Sequence, residues 1–217
     1  MFGYYRDSAD TRDHIFDSSG TLFACSRMSF ESAIGPAVDQ GQTSECVCYA
    51  LCGLKKYQEF LRAGLDLTFD PNDLYTLCKA ADGDPRPGTT PRTALQIAAA
   101  QGVLASDGNR YKIASYVRMT SVADIKTAIQ NKLPVLLGIE CDPQSLSQTP
   151  EGSIAGAPTN FSGGHCVLAV GFDDSFSAFR IRNSWGSTWC DEGHFWLAYD
   201  YLTADPQFDA WTCVEAV

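Results

Sequence analysis

The feature that most constrains this chain is Gln40-Gly41-Gln42-Thr43-Ser44-Glu45-Cys46 and the run that follows it. A glycine turn leads into polar residues, and a cysteine then opens an apolar segment that runs to Arg62. Val47, Ala50, Leu51, Leu54, Tyr57, Phe60 and Leu61 recur at helical spacing. Thr43 or Ser44 is the expected N-cap, and Gly64 the expected C-terminal stop. Cys46 then sits in the first turn of a helix, where the macrodipole favours the thiolate that attacks carbonyl carbon. Such a thiolate needs a proton partner and donors for the substrate oxygen. Cys48 lies about 200° around the helix from Cys46 and is expected to point into the core. The same angle argues against a Cys46/Cys48 metal pair, and no neighbouring His or CxxC completes a tetrahedral set with Cys48 and Cys52. No metal is expected, and without a nucleotide-binding glycine motif no cofactor is expected either.

Two later segments supply the missing partners. Gly163-Gly164-His165-Cys166-Val167-Leu168-Ala169-Val170-Gly171 puts a histidine at the mouth of an apolar strand, with small neighbours that leave room for a substrate. Arg182-Asn183-Ser184-Trp185-Gly186 puts an asparagine beside a tryptophan. Together with the first stretch, these blocks resemble the papain-like cysteine peptidases. That family reads Q-G-x-C-G-S-C-W at its nucleophile, a histidine ahead of a strand of short residues, and N-S-W-G at its third residue. The resemblance implies Cys46 as nucleophile, His165 as general base and acid, and Asn183 as the group that orients the imidazole. It further implies Trp185 as the indole shielding that bond and Gln40 as the side-chain oxyanion donor. Gly88-Thr89 matches the family's glycine pair that borders the cleft and binds substrate backbone, with threonine in place of the second glycine. Gly164 beside the histidine is assigned to substrate as well.

Some positions depart from the pattern. Thr43 replaces the family's cysteine three residues before the nucleophile, so the usual first disulfide cannot form. Glu45 stands where a small residue is usual; it either raises the thiol pKa by repulsion or faces solvent at the helix N-terminus. Val47 replaces a tryptophan, and Cys190 a frequent glycine. Gly3-Tyr4-Tyr5-Arg6-Asp7-Ser8-Ala9-Asp10-Thr11-Arg12-Asp13 looks like the opening of shorter bacterial members of the family. It is expected to form an arm that packs on the catalytic domain and covers part of the cleft, or else an ordered strap with no regulatory role.

A net charge of -10 argues against a nucleic-acid partner, which needs a basic surface. No apolar run approaches the roughly 20 residues of a membrane span, and residues 1–7 lack a signal-peptide core. The chain is expected in the cytoplasm or exported by a signal-independent route, as a monomer. Nine cysteines leave at least one unpaired, with Cys46 the natural candidate, and mostly free thiols are expected. Asn160-Phe161-Ser162 fits a glycosylation acceptor but is discounted without a secretion signal.

Elsewhere, Asp70 and Pro71 open a helix closed by Gly83, and Thr90-Pro91 opens another closed by Gly102. Strands are expected at 115–119, 133–139, 165–172, 178–183 and 193–199, with a helix capped by Ser121 and a loop over 142–162. His194 reads as a strand residue and His14 as a surface one. Helices lead and strands follow. The expected fold is therefore α+β: an arm over 1–38, a helical lobe over 39–110 and an antiparallel sheet or barrel lobe over 111–217. The active site lies in the cleft between the lobes. The expected function is hydrolysis of peptide bonds in a peptide or protein substrate through a thiolate-imidazolium pair and an acyl-enzyme intermediate. The competing expectations are a catalytically silent relative that binds partners in its cleft, and a different cysteine–histidine enzyme such as an amidase or acyltransferase.

Overall fold

Capping decides where the helices of this chain stand. The computed structural model describes residues 3–18, 25–142, 146, 152–156, 163–204 and 208–215. A short strand β1 (Arg27–Ser29) and a single turn α1 (Glu31–Ile34) precede the main helix α2 (Cys46–Ala63). α2 ends as its sequence predicts: Gly64 takes a left-handed φ of 67° and donates its N–H to Phe60 O at 2.9 Å. Its start differs. The N-cap is Glu45, with no side-chain hydrogen bond. Thr43 Oγ1 instead donates to Gln40 O at 2.8 Å, so the hydroxyl expected at the cap folds the preceding turn. α3 (Pro71–Asp82) and α4 (Pro91–Ala100) obey their signals. Asp70 accepts from the amides of Asn72 and Asp73, and Thr90 accepts from that of Thr93. In α5 (Val122–Gln130) Ser121 caps Asp124 in the same way.

A small hairpin, β2 (Val103–Leu104) with β3 (Arg110–Tyr111), follows α4. The main sheet contains β1, β4 (Ile113–Met119), β5 (Val135–Cys141), β6 (Ile154–Ala155), β7 (Gly163–Asp173), β8 (Ala178–Arg182), β9 (His194–Ala198) and β10 (Asp209–Glu215). The strands run in the order β4-β10-β5-β7-β8-β9-β6, with β1 joined to β7. All pairings are antiparallel except β6 with β9, and the described path stays open at β4 and β6 rather than closing into a barrel. A last helix, α6 (Tyr199–Ala204), lies between β9 and β10.

β5 and the middle of β7 read as continuous apolar runs, and β8 is buried along its whole length although Arg180 and Arg182 interrupt its apolar residues. Both α2 and α5 pack on β7. α2 therefore brings Cys46 to the strand that carries His165. Trp211 on β10, fully buried, lies between the guanidinium groups of Arg92 and Arg118, each 5.4 Å from its ring. The nine cysteines are all free, and only Cys25 and Cys190 are half-exposed. Among the described residues no helix is long and apolar enough to cross a membrane. The discounted glycosylation triplet at 160–162 and most of the 142–162 loop lie outside the described residues.

Candidate active site

The surroundings of Cys46 begin with a tight turn. Gly41 has φ 59°, and its N–H donates to Asp39 Oδ1 at 2.8 Å. The turn is tied to the segment after β8. Gln40 N–H donates to Ser184 O at 2.8 Å, and Ser184 Oγ donates to Gln40 Oε1 at 2.5 Å. Gln40 Nε2 donates to Thr43 O at 2.9 Å. One hydrogen-bonded unit thus holds Gln40, the start of α2 and the Asn183-Ser184 peptide.

His165 Nε2 lies 2.8 Å from Asn183 Oδ1. The same Oδ1 accepts the Ser184 N–H at 2.8 Å, which sets the amide with its oxygen toward the ring. Since Oδ1 only accepts, Nε2 carries the proton, and Nδ1 of the neutral ring is its basic nitrogen. Trp185 stacks on the imidazole with centroids 5.0 Å apart and planes at 20°. Trp189 meets Trp185 edge-on at 4.9 Å and Phe195 at 5.5 Å. Asn183 and its bond to histidine are thereby kept from water, which strengthens it.

Cys46 is fully buried, and the backbone amides of Cys166, Gly3 and Val47 point at its sulfur. The first of these belongs to the peptide that joins His165 to Cys166, so imidazole and thiol share one short stretch of backbone. Burial pushes the Cys46 thiol up, against the pull of those amides. Burial likewise brings the His165 imidazole down to about 4, opposed by its bond to Asn183. Glu45 stands at the N-cap of α2. It is half-buried, its charge acts on Tyr49, and burial and Asp70 push its own carboxyl up.

The burial of Cys46 comes from the chain itself. Residues 3–5 run through the groove beside it as an extended segment. Thr89 N–H donates to Gly3 O at 2.9 Å, Tyr5 N–H to Thr89 O at 3.0 Å, and Tyr4 N–H to Gly164 O at 3.3 Å. The three residues assigned to substrate, Gly88, Thr89 and Gly164, all touch this segment. A Cβ on Gly88 would strike the Gly3 carbonyl, and one on Gly164 would strike Tyr4. His194 stands apart on β9, where Nδ1 faces Glu31 at 3.4 Å.

Sequence reasoning missed several residues around the arm: Arg92, Arg118, Gly138 and Asp209. Gly138 carried a readable signal, since a glycine inside an otherwise apolar strand often marks a close approach by another backbone or ligand. The approaching group is the Tyr4 ring.

A fold of α2 against a mostly antiparallel sheet, with cysteine, histidine and asparagine brought to their junction, defines a cysteine-protease class of protein. The model of the papain family cysteine proteases matches residues 74–205. This chain belongs to the papain family of cysteine proteases. It is 27% identical over 193 residues to Cysteine proteinase 3 of Entamoeba histolytica, a match that covers 80% of this chain and 62% of that protein. It is 31% identical over 101 residues to an uncharacterized peptidase C1-like protein of Acanthamoeba polyphaga mimivirus, covering 43% of this chain and 32% of that one. The chain thus spans less than two thirds of the length of either relative. Its fold is similar to that of xylellain, a cysteine protease from Xylella fastidiosa, with a TM-score of 0.81 at 20% identity over 100% of this chain and 96% of that one. It is also similar to a procathepsin B of Trypanosoma congolense, with a TM-score of 0.85 at 12% identity over 100% and 87%.

Proposed function

We propose that this chain is a peptidase that hydrolyses peptide bonds through Cys46 and His165, in a cleft between a helical lobe (39–110) and a β lobe (111–217). The observation that carries the reading is the 2.8 Å bond from His165 Nε2 to Asn183 Oδ1, which leaves Nδ1 as the ring's basic nitrogen. His165 takes the thiol proton, and the sulfur attacks the substrate carbonyl carbon. The tetrahedral oxyanion is held by Gln40 Nε2 and the Cys46 backbone N–H. His165 then gives its proton to the leaving amine as the C–N bond breaks. Water, deprotonated by His165, attacks the thioester and releases the acyl group and the sulfur. Asn183 holds the ring and Trp185 covers the bond between them. Thr89 and Gly164 offer main-chain groups that a peptide can pair with.

A thiol-directed epoxide followed by peptide mapping tests the assignment in the full chain and in a Tyr4→Ala variant that opens the groove. Exposure alone favours Cys25 and Cys190, the two half-exposed thiols. Modification at Cys46 ahead of both in the opened variant supports an activated nucleophile. Reaction in order of exposure supports instead a silent relative that binds partners in its cleft.

Gln40 should matter less than the nucleophile. Removing one oxyanion donor costs about 100- to 1,000-fold in kcat. Gln40→Ala is expected to lower kcat in that range with KM nearly unchanged, measured on any peptide the enzyme cleaves. A change in KM alone would take Gln40 out of the oxyanion site.

A further inference from the structure

The turn that follows Asn183-Ser184-Trp185 is held against its own backbone preference. Cys190 and Glu192 have φ of 48° and 50°, in the left-handed region that a Cβ disfavours, and Gly193 follows at 82°. Two non-glycine residues in that region persist only where their surroundings fix them. The turn closes on itself through Gly193 N–H to Trp189 O at 2.7 Å and His194 N–H to Asp191 O at 2.8 Å. A side chain ties it to the sheet. Arg180 of β8 is buried, and its Nη2 donates to Asp191 Oδ2 at 2.5 Å. Nε and Nη2 of the same guanidinium grip the two carboxylate oxygens of Glu31 on α1, at 2.7 and 2.9 Å. Trp196, paired with Arg180 across β8 and β9, has its ring centroid 5.3 Å from the guanidinium carbon. A bidentate pair and a neighbouring ring fix the plane of the guanidinium, and with it the place of Asp191.

The turn reaches His165 by two routes. Along the backbone, Asn183 N–H donates to Gly193 O at 2.9 Å, and Asn183 Oδ1 is the acceptor for the imidazole. Through side chains, Trp189 at the start of the turn meets Trp185 edge-on, and Trp185 stacks on the imidazole. A turn that slackens shifts the asparagine and lets water under the indole. Both changes weaken the bond that sets the ring's tautomer and orientation.

We propose that Arg180 is a positioning residue for the reaction: through Asp191 it holds the 189–194 turn in its strained form, and the turn holds Asn183 and Trp185 on His165. Arg180 itself touches neither Asn183 nor the imidazole. Its grip on Glu31 fixes the guanidinium, and its grip on Asp191 carries the effect to the site. This inference rests on the peptidase reading.

The test compares the full wild-type chain with Arg180→Met, Cys190→Gly and the two combined. Methionine keeps an apolar stem and removes the donors. On any peptide the enzyme cleaves, Arg180→Met is expected to lower kcat about tenfold or more with KM within about twofold, as a small displacement of a catalytic group does. Cys190→Gly alone should leave kcat within about twofold. Added to Arg180→Met it should return most of the loss, because glycine takes a left-handed φ without an anchor. A second readout does not depend on turnover. In chain carrying isotope-labelled histidine, the Nε2 proton of His165 is followed by NMR and identified by its loss in His165→Gln. It is expected to be sharp in the wild type, broadened by exchange with water in Arg180→Met, and sharp again in the double variant. An unchanged kcat in Arg180→Met, or a lowered kcat with the proton signal intact, overturns the proposal and leaves the peptidase reading standing. A double variant no better than Arg180→Met overturns the strained turn as the link. A wild-type chain that cleaves no peptide overturns the peptidase reading and the proposal with it. If Arg180→Met does not fold, Asp191→Ala removes the half-exposed partner on the turn alone. The same losses of kcat and of signal are expected there, and retention of either overturns the proposal.

Discussion

Cys46→Ala is expected to abolish peptide turnover, a loss of about a million-fold where residual activity can be measured. Cys48→Ser, two residues on, should keep turnover within about tenfold. The contrast follows from the helix: both residues are buried, but their side chains leave α2 in different directions. Cys46 faces the amides of Cys166 and Gly3, whereas Cys48 faces Cys78 and the core. The proposed mechanism has no second nucleophile, so nothing replaces the lost sulfur. Cys48→Ser should register in stability instead, because a hydroxyl in that setting needs a partner that a thiol does not. Initial rates and thermal melts on the two variants check both halves. If Cys48→Ser were the inactive one, or if Cys46→Ala kept turnover, the nucleophile would be elsewhere.

Much of this site was legible in the sequence because local spacing sets it. The apolar period fixed the direction of α2. The glycine turn fixed the distance from Gln40 to Cys46. Asn183-Ser184-Trp185 follows β8 directly, so one antiparallel pairing with β7 returns Asn183 to His165. What the sequence hid is long-range or depends on burial. β10 was missed because Asp209 and Thr212 interrupt its apolar pattern. Both are buried, and Asp209 meets its partners Tyr4, Asp7 and Arg118 far away in sequence. At the Cys46 thiol, burial opposes the helix dipole. A dipole acts within one turn, but a segment some forty positions upstream removes water from the sulfur. Thr43 could serve either the helix cap or the turn, and propensity alone could not choose between them.

The second large effect concerns stability. Lys55 and Glu59 are both buried in the middle of α2, with Nζ 3.2 Å from Oε1. Lys55 also approaches Lys112 O at 3.5 Å and lies 5.9 Å from the Phe69 ring centroid. Arg62 reaches Glu59 Oε2 at 2.6 Å from a half-exposed position. Breaking a buried pair by removing one member costs far more than replacing both, because the remaining charge stays out of water. Lys55→Met is therefore expected to destabilise the fold by about 3 kcal/mol, softened from the upper range by the continuing Arg62 contact. For a chain of this size that is a fall in Tm of roughly 6–12 °C. Lys55→Met combined with Glu59→Leu should recover most of the loss, and a double-mutant cycle by denaturant titration measures the coupling. The position makes the result informative for function. α2 joins the core to Cys46, and a helix destabilised at its centre should loosen the register of its first turn. The single variant should thus lose turnover at temperatures well below its own Tm, while the double variant should not. A single variant as stable as the wild type would mean that water reaches this pair, and that α2 is held to the sheet by its apolar face alone.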